Sequence, residues 1–358
     1  MSARAQLASW LALVAFAMVA AAGPNPNQFI GWTNFQQFTC RTNASGEVEW
    51  LSPRVPVRPA NELIPTWNVE LSSAGAMRLE VRAFHDGQPT KFYSFGQWTS
   101  RTNAGSRASV KGQGNAAGDV DTDTLQLLQP AEAFQFRVTF DAASNLIRFK
   151  RLGAVVTHTG LVAEPRAPLK SAWGRTLDVP KLSQLNYADG KAWCSPTTVT
   201  MLLQFWSQRL GRTDLFSDVP EVAWSIHDET WKGTGNWSYN MAYVGSQRGM
   251  VGMVTRFNDL RELELWTAKG YPVGVSLCYN RLRARGPGPN GHLMVCVGFD
   301  KRGDVILNDP GTRRSMQQSW PRERFLLAWA HSRHAVYLVY PEGAALPEDA
   351  DGDWTPAP

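Results

Sequence analysis

Two short segments place a cysteine and a histidine where acyl-transfer chemistry is possible. Cys194 stands just before an apolar segment with helical spacing, which predicts a helix that begins next to this thiol. The free N–H groups and the dipole at a helix N-terminus stabilise an anion, so they favour the reactive thiolate form of cysteine. His292 begins the strand-like segment HLMVCVGF, about a hundred residues later. A thiolate and an imidazole are the nucleophile and proton carrier of covalent acyl transfer.

A predicted hairpin brings an acid to the histidine. The segment Asp300 to Gly303 reads as a four-residue turn between two apolar strands. Pairing Phe299 with Asp304 across this turn makes His292 and Asp309 diagonal neighbours on one face of the hairpin. Asp309 can then orient the imidazole and stabilise its charged form. Asn308 is the other candidate for orienting the ring, but in this register it points to the opposite face.

Other candidate site residues flank the cysteine. Gln184 lies ten residues upstream, and its amide with the Cys194 backbone N–H could hold a developing oxyanion. Trp193 adjoins the cysteine and is the first candidate for substrate binding, and Trp237 is a second one. Trp231 and Tyr239 are further candidates, although core packing is the common role of such aromatic residues.

The helix after Cys194 carries start and stop signals. Ser195 is a good N-cap residue, and Pro196 suits a first helical turn because its missing N–H needs no partner there. Apolar residues then recur at helical spacing, and Gly211 supplies a left-handed stop.

Residues 1–22 have the composition of a secretory signal peptide. They carry one positive charge, then an apolar run that ends in three alanines before Gly23. We therefore expect a secreted or periplasmic protein. The apolar run is short for a membrane anchor, and no other long apolar run follows, so we expect no membrane span after signal cleavage.

Composition limits the possible partners. Removing residues 1–22 takes away Arg4 and no acid, which changes the formal net charge from +5 to +4. This mild excess contains no basic block, so nucleic-acid binding is not expected. His227 lacks the two-histidine helical spacing of zinc peptidases, and we expect no metal and no cofactor. We expect a monomer.

The 4 cysteines are too few for a disulfide scaffold. Cys278 and Cys296 lie in two strand-like segments that can be neighbours. Two alternatives are therefore open: a disulfide bond between them, or two buried free thiols.

The length favours two domains, because single cores seldom grow past about 250 to 300 residues. Residues 23–162 alternate apolar and polar side chains with a period of two, as in Met77 to Ala83, and predict an all-β sandwich accessory domain. Its aromatic residues, among them Trp67 and Trp98, could bind sugar or peptide or fill the core. Residues 163–177 contain two prolines and a glycine and predict a linker.

Residues 178–340 predict helices first and antiparallel strands afterwards, which is an α+β domain. The last segment, 341–358, is rich in proline and aspartate and predicts a disordered tail.

Four motifs of this second domain resemble the papain-like cysteine peptidases, in the branch of the bacteriocin-leader (double-glycine) peptidases and their stand-alone secreted relatives. They are VP at Val179 with SQ at Ser183, WCSP at Trp193, GH at Gly291 and NDP at Asn308. The resemblance covers roughly residues 176 to 340. It implies a papain-like fold with Cys194 as nucleophile, His292 as general base and acid, Asp309 as orienting acid and Gln184 as oxyanion donor.

These observations together predict a secreted cysteine peptidase that hydrolyses peptide bonds in peptides or proteins. Two alternatives stay open: an amidase of cell-wall peptides that uses the same residues, and a catalytically silent binding module.

Overall fold

A computed structural model describes residues 25–73, 75–99, 107–141, 146–286, 288 and 290–356. The predicted signal peptide, residues 1–22, lies outside these described residues. In the part of the chain that is described, we find no helix with the length and apolar character needed to cross a bilayer.

The described residues of the N-terminal part form ten antiparallel strands. They are β1 Asn27–Trp32, β2 Thr39–Thr42, β3 Val48–Leu51, β4 Val55–Leu71, β5 Ala76–His85, β6 Gln88–Pro89, β7 Tyr93–Thr99, β8 Gly118–Asp121, β9 Thr124–Phe140 and β10 Leu146–Thr157. The alternation read from the sequence is confirmed, because Met77, Leu79 and Val81 are buried while the residues between them are half-buried.

The predicted all-β character of this part is confirmed, but the described strands form one curled sheet and not the two sheets of a sandwich. All ten strands join one hydrogen-bonded sheet with the order β1-β10-β4-β9-β3-β2, and β5 to β8 attach through β5 and β9. The cause is the length of β4 and β9, which have 17 residues each. A strand that long pairs with different neighbours along its course, and register shifts near Ala60 let β4 change direction. The sheet therefore curls on itself instead of splitting into two.

The C-terminal part is an antiparallel sheet with helices. Its helices are α1 Cys194–Leu210, α2 Val219–Ser225, α3 Trp237–Ser246, α4 Leu260–Ala268, α5 Tyr279–Leu282 and α6 Arg322–Trp329. Its strands are β11 Arg175–Thr176, β12 Met250–Arg256, β13 Val273–Cys278, β14 Gly291–Phe299, β15 Val305–Asn308, β16 Gln317–Trp320 and β17 Ala335–Pro341. The sheet order is β12-β17-β13-β14-β15-β16, with β11 beside β14. Helix α1 packs against β14, so the predicted cysteine and histidine segments are neighbours.

The segment predicted as a linker is packed against the C-terminal sheet. Arg175 pairs with Phe299 in the β11–β14 ladder. Upstream, Arg166 forms ion pairs with Asp259 at 2.7 Å and Glu262 at 2.6 Å. Residues 163–177 are therefore held by strand pairing and charge, which their proline and glycine content did not indicate.

One continuous hydrophobic core runs through both parts. Trp67 and Trp98 of the N-terminal sheet pack on the ring of Tyr239 in α3, with centroid distances of 6.0 and 5.7 Å. Asn68 of β4 donates to the Gly252 carbonyl of β12 at 2.7 Å. Trp67 and Trp98 are thus core and junction residues, so they are not available to bind sugar or peptide.

The tail predicted to be disordered is ordered as far as residue 356. Trp354 is 1% exposed and packs its ring on Phe257 and Trp266, at centroid distances of 5.5 and 5.7 Å. The Asp349 carboxylate accepts backbone N–H groups from the turn that follows, including that of Trp354 at 2.9 Å. The prediction was wrong because a single buried tryptophan and a self-capping aspartate outweigh a polar composition.

Candidate active site

Cys194 is the first residue of α1 and is half-buried. The helix is capped by the backbone of Trp193, so the prediction that Ser195 is the N-cap was wrong. Ser195 instead lies inside the first turn, and its hydroxyl hydrogen bonds with Asn240 and with the Tyr337 hydroxyl, both at 2.8 Å. The predicted stop is confirmed, because Gly211 ends α1 with φ of 64°.

The environment of the Cys194 thiol favours its charged form. Burial by itself raises the pKa of this thiol, but its hydrogen bond with His292 and the imidazolium charge lower it. The backbone N–H groups of Leu293 and Ser195 act in the same direction, and the net pKa lies below the ordinary value. A thiolate is therefore present at a lower pH than in a free cysteine.

His292 connects the thiol to a carboxylate. Its Nε2 lies 2.8 Å from Oδ1 of Asp309, and its ring also hydrogen bonds with Cys194, which leaves Nδ1 as the nitrogen facing the sulfur. Burial lowers the pKa of this imidazole, but the bonds to Asp309 and Cys194 outweigh burial and raise the pKa to about 9. The hydrogen bond between the two residues and the directions of their pKa shifts favour a thiolate and imidazolium pair.

Asp309 is 1% exposed and fully hydrogen bonded. Oδ1 accepts from His292 and from the Gly311 N–H at 2.7 Å, while Oδ2 accepts from the Tyr279 hydroxyl at 2.7 Å and from Arg283 at 2.9 Å. Burial raises the pKa of this carboxyl, but these donors, led by His292, lower it to about 2. Asp309 therefore stays charged at neutral pH even though it is buried.

Sequence reasoning missed Tyr279 and Arg283. The Tyr279 ring lies on the imidazole of His292, with a centroid distance of 4.3 Å, and the Arg283 guanidinium lies 4.5 Å from the centroid of the Tyr279 ring. Both residues belong to α5 or its end, immediately after β13. A short helix of one turn gives no periodic signal, so these residues could be found only from the tertiary structure.

The hairpin register was predicted correctly at the site and wrongly at the turn. Phe299 pairs with Val305, one residue away from the predicted Asp304. A bulge between Cys296 and Gly298 absorbs this difference, so Val295 pairs with Asn308 as the predicted register requires. Asn308 points away from the imidazole and bonds the Val179 carbonyl at 3.1 Å.

Gln184 is buried beside the turn that precedes the cysteine. Its Nε2 donates to the Gly190 and Lys191 carbonyls, both at 2.9 Å, and among the described residues its Oε1 has no hydrogen-bond partner. In this conformation both amide hydrogens serve the backbone of the turn. The side chain thus stabilises the turn that precedes Cys194.

The two tryptophans predicted to bind substrate differ in their surroundings. Trp193 is half-buried and stacks at a tilt on Tyr187, with a centroid distance of 5.9 Å. Trp237 begins α3, packs against the core, and donates its backbone N–H to Asp123 of the N-terminal part. Trp193 therefore borders the cysteine, and Trp237 lies at the junction between the two parts.

All four cysteines are free. Cys278 pairs in register with Gly291, and Cys296 pairs with Val273, so the two cysteines lie at different levels of the β13–β14 ladder. The possible bond between them is therefore absent. Burial raises the pKa of the Cys296 thiol to about 12, which keeps it protonated and unreactive.

One group of three neighbouring carboxylates is found in the described part of the chain. Oxygens of Glu262, Asp351 and Asp353 lie within 4.8 Å of one another. Arg166 donates to Glu262 at 2.6 Å and to Asp351 at 2.5 Å, so an internal cation balances part of this charge. The group sits on α4 and the tail and shares no residue with the cysteine and histidine site.

Sequence comparison links both parts of the chain to one family. Residues 176–337 match the Peptidase_C39 like family, and residues 27–157 match the Peptidase C39 N-terminal domain. No curated protein matches the chain. A solved structure titled as a C39-like peptidase from Bacillus anthracis is 18% identical, covers 52% of this chain and 100% of its own chain, and has a TM-score of 0.35.

Both family matches name peptidases of one family. They identify the chain as a cysteine-type peptidase, which acts on peptides or proteins. Within that class, both parts of the chain match models of the peptidase C39 family, so it belongs to the C39 peptidases.

Proposed function

We propose that Cys194, His292 and Asp309 are the catalytic triad of this peptidase. The observation that carries the proposal is the position of His292, whose ring contacts the Cys194 thiol through one nitrogen and Asp309 through the other at 2.8 Å. Nucleophile, proton carrier and orienting acid therefore form one hydrogen-bonded series, as covalent acyl transfer requires.

The reaction proceeds in two steps. The Cys194 sulfur attacks the scissile carbonyl carbon, and the tetrahedral intermediate collapses as the imidazolium of His292 gives its proton to the leaving amine. A thioester remains on the sulfur. Water then attacks that carbonyl and loses a proton to His292, and the carboxylic acid product leaves as the thiolate is restored.

The oxyanion is held by the start of α1. The backbone N–H of Cys194 belongs to the first turn, where helix N–H groups have no partner inside the helix. Gln184 becomes the second donor when its amide turns from the Gly190 and Lys191 carbonyls toward the substrate. Replacing Gln184 by alanine would remove that donor and loosen the same turn.

We also propose that the protein is exported, on the basis of the signal-like composition of residues 1–22. Sequencing the N-terminus of protein recovered outside the cytoplasm tests this. The proposal predicts a start at Gly23, and an intact Met1 in the recovered protein contradicts it.

The triad is tested by alkylation and by activity together. Iodoacetamide at neutral pH should modify Cys194 first and abolish hydrolysis in a peptide library, and Cys194→Ala should be inactive. Cys40→Ala is the matched control, because this other thiol is exposed on β2, outside the site. The proposal is refuted if alkylation or replacement of Cys40 is what abolishes activity, or if Cys194→Ala keeps full activity. Release of amino groups from purified cell wall but from no peptide would indicate the amidase.

A further inference from the structure

The loop of residues 226–236, between α2 and α3, contacts the segment that carries the nucleophile. The Thr234 hydroxyl donates to the Ala192 carbonyl at 3.0 Å, two residues before Cys194. Asn240 of α3 donates to the Thr234 carbonyl at 2.9 Å and accepts from the Ser195 hydroxyl at 2.8 Å. These bonds fix the loop on both sides of the nucleophile, and we refer to residues 226–236 as the wall loop.

The wall loop is built around Asp228, which is 0% exposed. Its Oδ1 accepts the backbone N–H groups of Thr230 at 3.0 Å and Trp231 at 3.1 Å, and its Oδ2 accepts from the Asn236 amide at 3.0 Å. One buried carboxylate therefore holds the start, middle and end of the loop. A buried anion of this kind is tolerated because donors surround it.

The N-terminal part of the chain makes further hydrogen bonds with the wall loop and with the start of α3. The Ser109 N–H donates to Oδ1 of Asp228 at 3.1 Å, and the Glu229 N–H donates to the Arg107 carbonyl at 2.9 Å. Asp123, in the turn between β8 and β9, accepts the N–H of Trp237 at the start of α3. The wall loop therefore has one side on the nucleophile segment and the other on the connections between strands β7, β8 and β9 of the N-terminal sheet.

Trp231 is the apolar side chain that the wall loop presents to solvent. It is 42% exposed, and its ring covers two glycines of the same loop. A Cβ at Gly233 would come within 2.6 Å of that ring, and one at Gly235 within 2.8 Å. The glycines thus let the indole lie flat on the backbone next to the residue that bonds Ala192.

From these contacts we propose that the N-terminal sheet completes the substrate-binding wall of the peptidase. Asp123 and Asp228 are positioning residues that hold the wall loop, and Trp231 contacts a large apolar side chain of an extended peptide substrate. The inference rests on the proposed function of Cys194.

The substrate contact is tested with Trp231→Ala and a matched control, Trp224→Ala. Trp224 is 62% exposed on α2 and close in sequence, but its ring covers no glycine of the loop. We expect Trp231→Ala to lower kcat/KM roughly 10- to 100-fold on peptides with an apolar residue near the scissile bond, through KM, as for one lost apolar contact. For peptides with only polar residues near the scissile bond, kcat/KM should change little. Trp224→Ala should resemble the wild type on all peptides.

The support from the N-terminal sheet is tested with Asp123→Ala and Asp123→Asn. Burial raises the pKa of Asp123 to about 7, so asparagine resembles its protonated form and still offers an oxygen to the Trp237 N–H. We expect the alanine variant to show the same selective rise in KM as Trp231→Ala, and the asparagine variant to recover most of the wild-type value. A purely structural role would lower the amount of folded enzyme, measured by active-site titration, and leave KM unchanged.

The alkylation rate of Cys194 separates the two proposals. It should be the same in the wild type and in all four variants. Suppose that alkylation of Cys194 abolishes activity but Trp231→Ala keeps the wild-type preference for apolar peptides. The inference about the substrate-binding wall is then overturned, and the triad stands. If Asp123→Ala does not fold, the asparagine and Trp231 variants still decide the matter. If Cys194→Ala is active, the triad itself fails.

Discussion

Replacing Asp309 by asparagine isolates the effect of its charge on His292. The substitution keeps the shape of the side chain and an oxygen for the ring N–H, but it removes the anion that contacts the imidazole at 2.8 Å. Burial then lowers the pKa of His292 with only Cys194 opposing it. We expect the imidazole pKa to fall from about 9 toward its ordinary 6.5.

The expected loss of activity follows from the difference between these two pKa values of His292. At 1.36 kcal/mol per pH unit, the interval between 6.5 and about 9 corresponds to roughly 3 kcal/mol of interaction with the charged ring. Asp309 and Cys194 both raise this pKa against burial, and the hydrogen bond with Asp309 is the largest raising cause. A loss of roughly 2 kcal/mol, which is typical of a hydrogen bond to a charged group, predicts a decrease of about 30-fold in kcat/KM near neutral pH.

The pH dependence of activity should change in a defined direction. In the wild type, activity rises as pH passes the lowered pKa of Cys194 and falls as pH passes about 9, where His292 loses its proton. In Asp309→Asn the alkaline limit should move toward neutral pH. The acid limit should rise at the same time, because a neutral ring no longer stabilises the thiolate.

The assay is the rate of iodoacetamide alkylation of Cys194 between pH 4 and 10, together with kcat/KM on a peptide from the library. Asp214→Asn is the control, since that carboxylate is on the surface with a 61% exposed side chain. An alkylation midpoint and an alkaline limit identical to those of the wild type would refute the role assigned to Asp309.

Two further predictions concern residues that only the structure revealed. Arg283→Met removes a charged donor from Asp309, and we expect kcat to fall roughly 10-fold with little change in KM; Arg283→Lys should restore part of the rate, and an unchanged kcat would contradict the assignment. Trp354→Ala should lower the free energy of unfolding by about 3 to 5 kcal/mol in a urea titration, because the ring is 1% exposed in the core. Trp224→Ala, with its exposed ring, should unfold like the wild type, and equal stability of the two variants would show that the tail is peripheral.

The sequence predicted the features of the site that depend on local patterns. A helix signal located Cys194, and strand alternation with a turn placed His292 near Asp309. The off-by-one pairing at the turn shows the limit of such patterns, because only the backbone could reveal the bulge that restores the register. Tyr279 and Arg283 approach Asp309 across 30 and 26 residues of sequence, through packing that no local pattern encodes.

The errors at larger scale have a related cause. Residues 23–162 have the composition of a sandwich, but pairing of two long strands with several neighbours decides how a sheet divides. Composition likewise predicted a free linker and a free tail, whereas Arg166 and Trp354 each fasten their segment through one side chain. The average polarity of a segment does not show whether one of its residues forms a strong contact with the rest of the protein.

The order of the tail has a consequence for how the chain reaches its native state. Asn25 donates to the Asp351 carbonyl across 326 residues, and the Phe29 N–H donates to the Gly352 carbonyl. Contacts between such distant residues carry a large loop-closure entropy, which slows folding. During synthesis, these contacts cannot form until residue 352 has left the ribosome. Nascent chains should therefore stay open and protease-sensitive until that point, and then close in one step.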